Sequence, residues 1–231
     1  MKNHIIISLL ILSVGLSQQE YNSNDLIKMD NGLWTVKFSD EPISGKIYGG
    51  FGEDGNIKKV YVGNIVNGKK EGRWKSYYHS NGKKKYDYNY KDGKKDGLER
   101  WWYDNGQKKS EGKFEDDKKD GLWKDYYENG QLQEEGHYKE GKYEGLWRRY
   151  FDNGILSIKG NYKDDKQDGF WKSYYDNGQL YLDRIYKDGK LEGFWKSYYD
   201  NGQLKYEWNY KEGELISQKC WDEDGNEKEC E

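Results

Sequence analysis

No alanine occurs anywhere in this 231-residue chain, threonine occurs once (Thr35) and proline once (Pro42). Leu, Ile and Val are sparse beyond the first sixteen residues. A sequence that omits the best helix former and carries 29 glycines is a poor candidate for a helical fold. Only two cysteines are present, Cys220 and Cys230. Few metal ligands of that kind can therefore converge, and no metal-site spacing is found. What is abundant is charge, at 35%, and aromatic side chains, at 17% with 10 Trp and 23 Tyr. High charge with few aliphatics usually marks disorder, but disordered chains are poor in aromatics. Something must organise the rings.

The N-terminus reads as a targeting segment. Lys2 and His4 precede an apolar run from Ile5 to Leu16, and Gly15 and Ser17 supply small residues for cleavage before Gln18. A run of this length is short for a membrane span and has signal-peptide proportions. An uncleaved N-terminal anchor is the alternative. The expected mature chain is soluble and exported: periplasmic, cell-surface or extracellular. In that compartment two cysteines suggest a disulfide. The turn signal Glu223-Asp224-Gly225-Asn226 lies between them and would place Cys220 opposite Cys230 across a hairpin.

Self-comparison shows the dominant signal. Gly121, Gly145, Gly169 and Gly193 lie 24 residues apart. Trp123, Trp147, Trp171 and Trp195 keep that spacing, as do Tyr126, Tyr150, Tyr174 and Tyr198 and the Asn-Gly pairs from Asn129-Gly130 to Asn201-Gly202. Earlier copies begin at Gly72, with Trp74, and at Gly97, where Glu99 replaces the expected Trp. Within one copy, Leu122 to Tyr127 reads as a strand that opens at Gly121, and Asn129-Gly130 as a tight hairpin turn in which both residues tolerate positive φ. Gln131 to Lys139 reads as the return strand, with Leu132 and Tyr138 on one face, and Glu140-Gly141-Lys142 turns into the next copy. Each repeat is thus one hairpin. The chain is expected to be all-β: an elongated antiparallel meander of stacked hairpins whose rings pack against those of their neighbours. The opposite face would carry Lys, Asp and Glu. Residues 1–17 are assigned to the signal peptide, 18–40 to an N-terminal cap segment and 41–231 to the array. Residues 20–44, including Pro42, and a Cys220–Cys230 hairpin would cover the sheet edges.

The unit Gly-Leu-Trp-Lys-Asp-Tyr-Tyr-Glu-Asn-Gly-Gln-Leu, followed by Tyr-Lys-Glu-Gly-Lys, resembles the MORN repeat in its bacterial variant. The array is similar to proteins grouped as YwqK-type antitoxins. The resemblance covers about residues 41–231. It implies an elongated sheet of hairpins and a scaffold or binding role, and the antitoxin grouping implies neutralising a toxin protein by binding it. Phosphoinositide or membrane association is also attributed to such arrays.

Catalysis is poorly provided for. His79 and His137 stand in different repeats, at positions where other copies carry Asp, Glu or Asn, and read as solvated surface residues. Gly50-Phe51-Gly52-Glu53-Asp54-Gly55 fits a dinucleotide pattern, but the run after it reads as strand rather than the helix that the pyrophosphate needs. Asp222 to Asn226 lacks the ligand spacing of a calcium loop. Residues 68–96 are strongly basic and 222–231 strongly acidic, which reads as solvated surface drifting between repeats, with a basic end suited to an acidic protein, anionic polymer or lipid surface as the sharper alternative. The leading expectation is an exported, non-enzymatic, monomeric scaffold with a protein partner, without cofactor or metal and not binding nucleic acid. The possible binding anchors are Trp74, Trp123, Tyr126, Trp147, Tyr150, Trp171, Tyr174, Trp195 and Tyr198, provided they stay partly exposed. The runner-up is a cell-wall or carbohydrate-binding module, since choline- and glucan-binding repeats share aromatics and Gly-rich turns.

Overall fold

The computed structural model describes residues 19–37, 39, 41–51 and 58–230. The targeting segment, and Gly52 to Gly55 of the dinucleotide-like motif, lie outside the described residues. One long sheet runs as an antiparallel meander from Gly45–Phe51 to Glu227–Lys228, and Glu20–Asn22 joins Gly45–Phe51 as a parallel neighbour. Leu26–Lys28 and Trp34–Val36 form a separate two-stranded ribbon. The all-β meander of hairpins is thus the observed architecture. Lys118–Tyr126 pairs with Leu132–Lys139, which pairs with Lys142–Tyr150. One hairpin therefore occupies one period.

The Asn-Gly turn departs from the sequence expectation. At Glu128-Asn129-Gly130 the chain makes a wider loop, in which Tyr127 N–H donates to the Gln131 carbonyl and only Gly130 takes positive φ, at 86°. Asn129 is kept for a different reason: its carboxamide oxygen accepts from Gln131 N–H at 2.9 Å, and its nitrogen donates to the Asp152 carbonyl of the next repeat at 2.9 Å. The turns with two left-handed residues are the other set, at Glu140-Gly141 (φ 50° and 88°) and even at Asp164-Asp165 (φ 47° and 66°). These twist with the strands they join. Gly145 does not open a strand. It lies inside Lys142–Tyr150 at φ 77°, where the register with the previous strand slips. A second slip, between Arg149 and Tyr150, breaks the two-residue alternation of the return strand. Leu156 consequently lines the same groove as Arg148, while Tyr162 packs edge-on to Trp147 on the other side. The equivalent slip after Asp125 separates Leu132 from Tyr138, which were expected to share a face.

The tryptophans are buried because the strand before each of them carries glycine. A Cβ on Gly63, Gly112, Gly136 or Gly160 would fall 2.2, 2.1, 2.6 or 2.2 Å from the ring of Trp74, Trp123, Trp147 or Trp171 respectively. These four tryptophans are 7, 5, 8 and 3% exposed. Three of them also donate the indole N–H to a carbonyl of the preceding strand, as in Trp171 to Asn161 at 3.0 Å. Each meets a tyrosine edge-on, for example Trp123 with Tyr138 at 6.2 Å. Departures from the rule come in pairs. Tyr88 occupies the glycine position ahead of Glu99, and the buried Glu99 instead accepts from Lys95 at 2.7 Å and the Trp101 indole at 2.8 Å. Arg184 occupies it ahead of Trp195, which is half-buried and stacks on Trp208 at 4.7 Å.

An aliphatic cluster does exist, contrary to the expectation of rings alone. Ile43, Ile47 and Ile65 pack with Trp74 at the first end of the sheet, beneath Tyr21, Leu26 and Trp34. There the buried Thr35 hydroxyl donates to the Ser39 and Glu41 carbonyls. At the other end Cys220 and Cys230 form a disulfide with Cα atoms 5.3 Å apart, although Cys220 stands opposite Lys228 in register. Gly160→Ala is expected to cost about 1–3 kcal/mol by overpacking against Trp171, read from urea unfolding.

Candidate binding face of the sheet

Alternation along each first strand puts Trp123 and Lys124 on opposite faces. The tryptophan face is closed by its own packing, so Trp74, Trp123, Trp147 and Trp171 offer no ring to a partner. Tyr126, Tyr150 and Tyr174 lie half-buried on the other face, with Tyr198 and Trp195 also half-buried. That face was expected to carry Lys, Asp and Glu. Besides the expected charges it carries an apolar stripe at the repeat period: Leu98, Leu122, Leu146, Phe170 and Phe194 are all exposed, Phe170 at 61%.

Two residues along from each stripe residue stands a cation: Arg100, Lys124, Arg148, Lys172 and Lys196. Their cross-strand partners make a ladder of alternating sign. Lys75 faces Asp87, which faces Arg100, which faces Glu111, which faces Lys124 and then Glu135 and Arg148. After Lys159 the alternation resumes through Lys172, Asp183, Lys196, Glu207 and Lys219. Arg148 reaches Glu135 at 2.9 Å, Lys172 reaches Asp183 at 2.9 Å and Lys196 reaches Glu207 at 2.8 Å. Directly opposed unlike charges contribute about 0.2–1 kcal/mol per pair. Sequence reading missed both ladder and stripe, although their 24-residue spacing was visible, because the rings drew the alignment.

The second tyrosine of each pair ties repeats together. Tyr103, Tyr127 and Tyr175 donate their hydroxyls to the Tyr126, Tyr150 and Tyr198 carbonyls at 2.8 Å each. At position 151 the residue is Phe, which has no hydroxyl to donate.

His79 and His137 are exposed, as a solvated reading requires. His79 joins Glu20, Tyr48 and Lys59 around a cavity of about 430 Å³ at the first end, where Lys59 pairs with Glu20 at 2.8 Å. Among the described residues no group of three or more His, Cys, Asp or Glu is placed to hold a metal ion. The basic stretch is largely engaged internally: Lys70 lies over the Trp74 ring at 4.5 Å, with burial lowering its pKa, and Lys95 lies over Tyr88 at 4.2 Å. Asp222 accepts from the Asp224 and Asn226 N–H groups, which is turn chemistry. No helix among the described residues is long and apolar enough to cross a membrane.

The repeating hairpin, with its Gly, Trp, Tyr and Asn-Gly positions, has a match among known families. Residues 95–116, 119–140, 143–164, 167–188 and 191–212 each match the family described as the MORN repeat variant. These residues form five tandem MORN repeats. The matched stretches are 22 residues long and recur every 24 through the regular part of the array. The MORN repeats point to a repeat protein with a binding role. Among curated proteins none matches the chain.

The tyrosine hydroxyls and the buried carboxylates each lead to a prediction. Tyr127→Phe should cost about 1 kcal/mol and Phe151→Tyr should recover a comparable amount, each measured by urea unfolding. The second concerns pH. Burial alone would raise the Asp87 carboxyl, but the Arg73 guanidinium bonded to it outweighs burial and holds it below its ordinary value. Glu111 is likewise lowered, burial being outweighed by Lys108 and Tyr126. These two favour the fold while ionised, a contribution present above the ordinary carboxylate value and lost as pH falls through the lowered folded values. Asp125 is the opposite case, raised by burial and then by Glu134. Its ionised form costs stability at neutral pH, and that cost disappears below the ordinary carboxylate value. Asp125→Asn should therefore raise the thermal midpoint at about pH 7 and give no gain at about pH 3.

Proposed function

We propose that this chain is a non-enzymatic scaffold that binds a protein partner along the ladder face of its MORN array. The observation that carries the reading is the periodic stripe from Leu98 to Phe194, exposed beside a ladder of fixed charges. Regularly spaced apolar side chains supply contact area, and the charges beside them fix register and exclude wrong partners. The tryptophan face cannot serve in the same way, because its rings are consumed by packing. In this proposal the N-terminal segment directs export, and the partner is met outside the cytoplasm. An antitoxin-like activity is the more specific form: the ribbon neutralises a toxin protein by covering it.

Pull-down with the purified mature chain from a periplasmic or medium fraction is expected to recover a protein that a Leu122→Ser, Leu146→Ser, Phe170→Ser triple variant loses. These side chains are exposed, so each substitution should change stability by no more than about 0.5 kcal/mol. Equal recovery by both chains would remove the stripe from the proposal. A carbohydrate-binding module would instead retain isolated cell wall or glycans and ignore the protein fraction.

A further inference from the structure

The alternating ladder is broken at one place. Where the neighbouring copies carry Glu111, Glu135, Asp183 and Glu207, this position carries Lys159. Its two cross-strand neighbours are Arg148 and Lys172, so three cations stand side by side. Arg148 and Lys172 each turn to the acid on their far side, at 2.9 Å in both cases. Lys159 makes no ion pair among the described residues, and its ammonium lies 5.7 Å from the centre of the Tyr174 ring. The same place holds a groove of about 340 Å³ lined by Leu146, Leu156 and Phe170 between these cations. Like charges directly opposed destabilise a sheet, a cost the rest of the ladder avoids. The arrangement is an anion position with no anion of its own, floored by apolar side chains.

We infer that this groove receives an acidic segment of a partner polypeptide, whose carboxylate takes the place that Glu or Asp fills in the other repeats. Charge complementarity selects the acid, and the exposed Phe170 and Leu146 select against a bare inorganic anion, which would leave them unmatched. Leu146 and Arg148 stand two residues apart on one strand, as do Phe170 and Lys172. An extended segment with an apolar residue and a Glu or Asp at i and i+2 presents the matching pattern on one face. This inference rests on the protein-binding reading and locates its specificity.

The test is a random peptide library displayed on phage, panned on the full chain and in parallel on Lys159→Glu. Enriched peptides are expected to carry Glu or Asp two residues from an apolar side chain. Synthesised, they should bind the parent chain at least about tenfold more tightly than Lys159→Glu, as loss of one charge-assisted contact implies. Affinity should fall with added salt. Because Lys159→Glu restores the alternation, its thermal midpoint should equal or exceed that of the parent, so lost binding cannot be ascribed to misfolding. A lowered midpoint would overturn the inference by making Lys159 structural. Peptides that bind both chains equally would also overturn it while leaving protein binding elsewhere intact. A library that yields no binder, together with an empty pull-down, would remove both readings.

Discussion

The constraint on which the array depends is the contact of an indole with a backbone that has no Cβ. Gly63, Gly112, Gly136 and Gly160 each lie under the tryptophan of the following strand, closer than any side chain would permit. This lets a large flat ring lie against the sheet, and in three of the four it turns the indole N–H to a carbonyl of the preceding strand, satisfying a donor that burial would otherwise orphan. Where the glycine is absent the tryptophan is absent or displaced, as Tyr88 with Glu99 and Arg184 with Trp195 show. The repeat is better described as a pair of linked positions on adjacent strands than as a recurring tryptophan.

That packing divides labour between the faces. One face is filled by Trp and Tyr rings and replaces the globular core that so few aliphatics could not build. The other is free to vary, and it carries the charge ladder, the exposed Leu and Phe stripe and the single break at Lys159. Between faces and along the edges, the Tyr hydroxyls and Asn carboxamides tie each hairpin to the next through backbone carbonyls. Each unit thus depends on its neighbour, as in other linear repeat proteins.

Much of the fold was legible in the residues. A 24-residue period, Gly at its turns and aromatics between them are local signals, and they led directly to a meander of hairpins. The face assignments were less accessible. Alternation predicts facing only for an unbroken strand, and the slip between Arg149 and Tyr150 moves Leu156 across the sheet. The turn types were misassigned for a related reason: Asn-Gly is favoured in tight turns by its tolerance of positive φ, whereas here Asn129 is selected for two side-chain hydrogen bonds.

Composition and period by themselves determined that this chain would be an all-β ribbon with aromatic packing, because turn chemistry and repeat spacing act over short stretches of chain. Only the tertiary structure decided which rings are consumed and which side chains are offered. That choice depends on register: on a glycine in the strand before each Trp, on bulges that reset alternation, and on which charge stands across from which. Arg148, Lys159 and Lys172 are separated in sequence by ordinary repeat residues. They become one cationic row only when three strands align.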